Sequence, residues 1–215
     1  MKKFELTNEF ITNMFGTKLF RIRALVEFGD VEAGELGGYV EKESNLGHDD
    51  NAWVYDNAWV YGNARVYGDA QVSGDAQVSG DAWVYGDALV YGNARVYGNA
   101  RVYGNAWVYG NAWVYGNAWV YGNALVCSDE DYAYAHGFGS VNRTTTFFRL
   151  KDGGVGVRCG CFYGTLAQFR DKIRETHGET KKAQEYLMLA DLMELRFEED
   201  ENEEEIENTL SNERR

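Results

Sequence analysis

The sequence predicts a mainly β fold: a parallel β-solenoid with an N-terminal cap and a small α+β unit at the C-terminus. Two observations carry that expectation. From Ala52 to Val126 the chain repeats every six residues as G-[ND]-A-x-V-Y; Ala recurs thirteen times from 52 to 124, and Val follows two residues behind each Ala. Residues 1–39 and those after Val126 do not repeat, and the later segment holds a helix-period pattern.

Within each hexad, A-x-V-Y reads as a short strand and G-N or G-D as a turn. Gly accepts positive φ, and Asn or Asp tolerates the left-handed region better than other residues. Strand side chains alternate, so Ala and Val share one face while x and Tyr share the other. Of the 26 x and Tyr positions, 16 hold Trp or Tyr; the rest are Arg, Gln, Leu, Ser and one Cys. A six-residue repeat winds a narrow coil with no room for stacked Trp beside Arg. Ala and Val must therefore form the core, with the aromatics outward.

The spacing V-Y-[GD]-[ND]-A-x, kept by Val54 to Ala58, Val60 to Ala64 and every later pair, resembles the hexapeptide of bacterial acyltransferases. In that family an aliphatic residue opens the hexad and a small residue sits four further on. Tyr stands second here, where the family often has Gly. The resemblance implies a left-handed parallel β-helix, a hexapeptide-repeat solenoid with three hexads to a triangular coil. The repeat extends upstream as Val40, Ser44 and Leu46, and the eight residues from Leu46 to Val54 place a bulge near Gly47–Asp50. Fifteen hexads give about five coils, or about 24 Å at the inter-strand spacing. Periodicity alone leaves a two-sided coil of 12 residues as the alternative.

Folding the chain at 18 residues sorts the outward side chains into three faces. One carries Arg65, Trp83, Arg101 and Trp119 beside Tyr67, Tyr85, Tyr103 and Tyr121, an unbroken Tyr ladder. A second carries Trp59, Gln77, Arg95 and Trp113 beside Tyr61, Ser79, Tyr97 and Tyr115. The third carries Trp53, Gln71, Leu89, Trp107 and Leu125 beside Tyr55, Ser73, Tyr91 and Tyr109. Gln/Ser pairs interrupt the last two.

Residues 1–39 are expected to form a β cap, with KLFRIRALV (18–26) as a strand, because the end of a solenoid exposes unpaired backbone groups. The β-helix then covers 40–127. Residues 128–197 read as a small α+β domain. TTTFFRL (144–150) and VGVRCGCF (155–162) form a hairpin about KDGG. Thr165 caps a helix running to His177, with Leu166, Phe169 and Ile173 on one face and Gly178 as its stop. A second helix runs from Lys181 to Phe197, with Tyr186, Leu187, Ala190, Met193, Leu195 and Phe197 as its apolar surface. Residues 198–215 form an acidic tail.

The net charge is -13, and residues 198–215, with nine acids and two Arg, supply -7 of it, leaving -6 for the rest. Residues 51–126 hold five Asp, three Arg and no Lys, which disfavours nucleic acid, since phosphate binding needs a positive groove. No apolar run is long enough to span a membrane. MKKFELTNEF lacks the apolar core of a signal peptide. Three Cys fit a reducing cytosol better than a disulfide framework.

Few residues offer catalytic chemistry. Hexapeptide acyltransferases use a His as general base beside the coils; the corresponding candidate is His48, in the bulge, and no His lies between residues 49 and 135. The alternative role for His48 is structural, as a turn or cap residue, and the unbroken repetition of the coils argues against a catalytic groove. Cys159 and Cys161, with Cys127, His136 or His177, could hold zinc. Their alternation in phase with Val155 and Val157 reads instead as two core cysteines on a strand. No cofactor is expected.

The stretch KLFRIRALVEFGDVEAGELGGYVEKESNLG, the NAWVYDNAWVYGNARV that follows it and the closing α+β unit resemble hexapeptide-repeat proteins of bacteriophages and prophages. That resemblance implies a cytoplasmic protein of the bacterial host cell that inhibits a host factor, such as a bacterial immune factor, by occlusion. The exposed aromatics point the same way, because Tyr, Trp and Arg dominate interface hot spots. The expected surface is Arg65, Tyr67, Trp83, Tyr85, Arg101, Tyr103, Trp119 and Tyr121, used for a protein partner or for self-association, by family resemblance as a trimer. The alternatives are an acyl-CoA-dependent acyltransferase using His48 and a carbohydrate-binding fibre module. Aromatic stacking along the rungs is the competing structural role for the same side chains.

Overall fold

The computed structural model describes residues 2–139 and 141–198. The chain opens with β1 (Phe4–Thr12), β2 (Lys18–Ala24) and β3 (Leu36–Val40), then a short 3-10 turn at Glu43–Asn45. Thirteen strands follow, one per hexad, from Trp53–Val54 (β4) to Leu125–Val126 (β16). The C-terminal part contains β17 (Tyr132–Phe138), β18 (Arg143–Arg149), β19 (Val155–Cys159), β20 (Phe162–Thr165), α1 (Leu166–His177) and α2 (Lys181–Phe197).

Each coil strand pairs in parallel with the strand 18 residues away: Trp53 with Gln71, Arg65 with Trp83, Arg95 with Trp113. The coil is therefore three-sided, and the 12-residue alternative is excluded. All thirteen repeat Ala and all thirteen repeat Val are 0% exposed. The backbone ladder passes from rung to rung, as in Trp83 N–H to the Ala100 carbonyl at 3.0 Å. The turns stack as closely as the strands. Gly98 has φ +71°, and a Cβ on it would lie 3.1 Å from the Gly116 nitrogen, so both conformation and space demand Gly.

The N-terminal cap prolongs one of the three sheets. β1 pairs antiparallel with β2, β2 antiparallel with β3, and β3 runs parallel to Trp59–Val60. β1 is an addition to what the sequence pattern predicts. Phe4, Ile22, Ala24 and Val31 close over the first coil and join its core. This corrects the expectation for Trp53, which is not on an outer face but 0% exposed, with Phe4 and Phe28 edge-on to its indole. The early coil is two residues longer than the rest: Val40 pairs with Val60, and Leu46 bridges Val66. The expected bulge absorbs the excess, with the Asp50 carboxylate accepting from Gly68 N–H at 2.5 Å. Ser44 does not take the small core position. It is exposed on the 3-10 turn, and Asn45 is buried in its place, its amide donating to the Gly62 and Ala64 carbonyls at 3.2 and 2.8 Å.

At the other end, β17, β18, β19 and β20 form a four-stranded antiparallel meander. The expected hairpin is its centre, with Phe147 opposite Val157, and one further strand flanks it on each side. Thr165 caps α1 through a capping box with Gln168, and Gly178 ends it at φ 57°. Phe169 and Ile173 of α1 and Ala183, Tyr186, Ala190, Met193 and Phe197 of α2 pack on Phe147 and Val157. Leu195 departs from the expected apolar surface and is 68% exposed. The opposite face of the sheet closes the solenoid, for Tyr132 and Phe148 belong to the coil core and Ala124 bridges Leu150. Of the acidic segment, only Glu198 falls within the described residues.

Candidate functional site

Each rung contributes one x side chain and one Tyr-position side chain to a face, so the face that starts at Arg65 is a pair of columns. Arg65, Trp83, Arg101 and Trp119 stand in register on successive strands. Beside them Tyr67, Tyr85, Tyr103 and Tyr121 stack with ring centroids 4.9, 4.7 and 4.3 Å apart. These distances match the strand spacing. The ring planes of the first two pairs are within 7° of parallel, so the faces cover one another and edges and hydroxyls are left outermost.

The other column alternates cation and indole. The Arg65 guanidinium lies 5.9 Å from Trp83, and Arg101 lies between Trp83 at 4.9 Å and Trp119 at 4.8 Å. A guanidinium stacked this way keeps its in-plane N–H donors for other acceptors. The C-terminal unit completes both columns. Arg158 of β19 lies 5.4 Å from Trp119 and donates to the Tyr103 hydroxyl and the Phe162 carbonyl, each at 3.0 Å. Tyr163 meets Tyr121 edge-on at 4.6 Å, and Trp119 N–H donates to the Thr146 hydroxyl at 2.9 Å. Burial in the ladder pushes the Tyr85 phenol up to about 12, with Tyr103 and Tyr67 adding to the effect. Tyr103 is also raised by burial, against the opposing influence of Arg158.

The remaining faces hold shorter stacks. Tyr97 and Tyr115 are 5.4 Å apart, Tyr91 and Tyr109 5.0 Å, and Ser79 and Ser73 interrupt the rows. Lys151 covers Trp107 at 3.9 Å.

A family model described as the YdcK Beta solenoid repeat matches the coils. Its matches fall at residues 58–74, 70–86, 76–92, 82–98, 88–104, 94–110 and 108–122. No curated protein matches the chain. The similarity thus lies in the β-solenoid repeat, and the matched residues include Arg65, Trp83, Arg101 and Trp119.

The other candidates lie away from this face or apart from one another. His48 stacks on Phe4 at 4.4 Å, and its Nδ1 accepts the Lys3 N–H at 3.2 Å, so it serves the cap. Cys159 and Cys161 are not two core residues on one strand. Cys159 is half-buried and accepts from the Thr145 hydroxyl at 3.2 Å, whereas Cys161 is exposed in the turn between β19 and β20. Cys127 is exposed and donates to Asp131 at 3.0 Å, which raises its pKa. Among the described residues no group of three or more His, Cys, Asp or Glu is placed to hold a metal ion. No helix among them is long and apolar enough to cross a membrane.

Sequence reasoning missed Arg158, Tyr163 and Arg143 as neighbours of this face. A partial signal exists for Arg158. It alternates with Val157, so it points away from the helix-covered face of the sheet, toward whatever lies on the other side.

Proposed function

We propose that the protein is a non-enzymatic binding scaffold and that the Arg65–Trp119 face is its interaction surface. The observation that carries this reading is the ordered double column. Eight long side chains sit in fixed register, their faces stacked on one another, with the guanidinium edges of Arg65 and Arg101 left for a partner. Such a surface gives up little side-chain entropy on binding, because its rotamers are held before the partner arrives. The partner is a protein or a second copy of the chain, with a trimer as the self-associated form. In the phage and prophage setting suggested by sequence resemblance, the partner is a cytoplasmic host protein, such as an immune factor, blocked by occlusion.

The same stacking weighs against a carbohydrate-binding fibre, since sugar stacking needs open ring faces. The role of His48 in the cap weighs against the acyltransferase reading. The test is affinity capture from bacterial lysate combined with light scattering on the purified chain. Trp83→Ala with Arg65→Ala should abolish capture of a stoichiometric partner, or dissolve a discrete oligomer, while the β circular-dichroism spectrum is unchanged. Capture or assembly that survives this double substitution would move the interface elsewhere.

A further inference from the structure

A cleft of about 480 Å³ lies where the C-terminal sheet meets the last coils. One wall is Arg101 and Trp119 with Asn99 and Asn117; the other is Arg143 with Thr144 and His136. It holds two guanidiniums, and among the described residues no carboxylate lines it. Among the described residues neither Arg101 nor Arg143 pairs with a carboxylate.

The turn rows explain why this end of the face is cationic. Along one border run Asn63, Asp81, Asn99 and Asn117, and along the other Asp69, Asp87, Asn105 and Asn123. Every Asp lies toward the N-terminal end, so beyond Asp87 both borders are neutral amides. Asn99 donates to the Asn117 side-chain oxygen at 3.2 Å, which leaves the Asn117 amide N–H groups available to the cleft.

Arg101 is held in place, and Arg143 has the space it needs beside a glycine. Arg101 is clamped between two indoles, with its donors left at the guanidinium edge. Arg143 lies across Gly160, and a Cβ there would collide with its Nη1. His136 is tied through Nδ1 to the Thr144 hydroxyl at 3.0 Å.

We propose that this cleft binds a compact ligand with two oxyanion groups, a diphosphate or a polycarboxylate, one group facing Arg101 and the other Arg143. The planar fork of each guanidinium matches a phosphoryl or carboxylate group bidentately. The Asn117 amide and the Thr144 hydroxyl take the polar body between them. The size falls within the range of small-molecule sites.

Calorimetric titration of the full chain with inorganic pyrophosphate, and separately with citrate, at low ionic strength tests the proposal. Saturable one-site binding of at least one of them is expected. Arg143→Gln and Arg101→Gln should each weaken it about ten-fold or more. Arg174→Gln, on α1 and paired with Asp171 away from the cleft, should not. Binding of pyrophosphate alone assigns a phosphoryl ligand, and binding of citrate alone a carboxylate one. Arg143 is exposed, so its variant should melt at the wild-type temperature, which separates loss of the site from loss of the fold. The proposal is overturned if neither anion binds the wild type, or if the affinity survives Arg143→Gln.

Discussion

At the N-terminal end of the solenoid the cap continues one of the coil's own sheets; at the C-terminal end a separate sheet docks across the last coil. A prolonged sheet leaves no seam. Its backbone ladder passes directly from β3 to β2 to β1, and everything beneath is sealed, including Trp53. A docked sheet meets the coil by one backbone bridge, Ala124 to Leu150, and otherwise through side chains such as Arg158, Tyr163 and Thr146. Side-chain contact leaves gaps, and one of them is the cleft between Arg101 and Arg143. Sealing produces stability; docking produces a place for a ligand.

The sharpest control on the comparison lies between the two ends, where neither cap contributes. Val96→Asp should prevent folding, because it places an unpaired charge in a core with 0% exposure. Arg95→Asp, one residue away and exposed, should cost no more than about 1 kcal/mol, the worth of its cation–π contact with Trp113. Equal tolerance of both would reverse the assignment of inside and outside.

The next test sets the two ends against each other at the same hexad letter. Trp53→Ala should cost about 3–5 kcal/mol in urea unfolding, as a fully buried aromatic. Trp119→Ala should cost about 1–2 kcal/mol, mainly its cation–π contacts with Arg101 and Arg158. Similar losses would mean that docking seals as well as prolongation does. Trp53→Phe refines the point: the buried indole N–H has no hydrogen-bond partner among the described residues, so removing it offsets part of the lost area.

A smaller difference is expected for the polar ties. The Lys3 ammonium, almost fully buried, donates to the Asp50 and Ala52 carbonyls at 2.7 and 2.8 Å. Lys3→Ala should cost about 1–3 kcal/mol, since the acceptors it abandons lie in the sealed end. Arg158→Met at the docked end should cost about 1 kcal/mol, because solvent reaches the groups it leaves.

The smallest effect is alkaline. Tyr85 is held protonated by burial, with a phenol raised from its ordinary value near 10 to about 12. A raised folded value means that its contribution is complete below pH about 10 and lost as pH rises toward about 12. Melting temperature should therefore decline across that window, and Tyr85→Phe should flatten the decline slightly.

The coil was legible in the sequence because every hexad makes the same demand, and the two helices because Thr165, Gly178 and the apolar spacing mark their limits. β1 escaped because FELTNEFIT carries polar residues on both faces and gains its order by pairing with β2. Trp53 was misplaced for a related reason. Its hexad letter says outward, but burial depends on a cap that the repeat does not encode. The Arg65–Trp119 column could be written down from the 18-residue period. The arrival of Arg143 and Arg158 beside it could not, since a contact between a periodic and an aperiodic segment leaves no period to detect.

The 18-residue register also makes the coil an indexing device. Removing three hexads would shorten the stack by one rung and return the C-terminal sheet to the same side. Removing a single hexad would turn everything downstream by a third of a revolution, facing Arg143 and Arg158 with a different row of side chains. Chain length in this protein is thus an angular coordinate, and only insertions or deletions in multiples of three hexads preserve the pairing between the aromatic columns and the sheet that closes them.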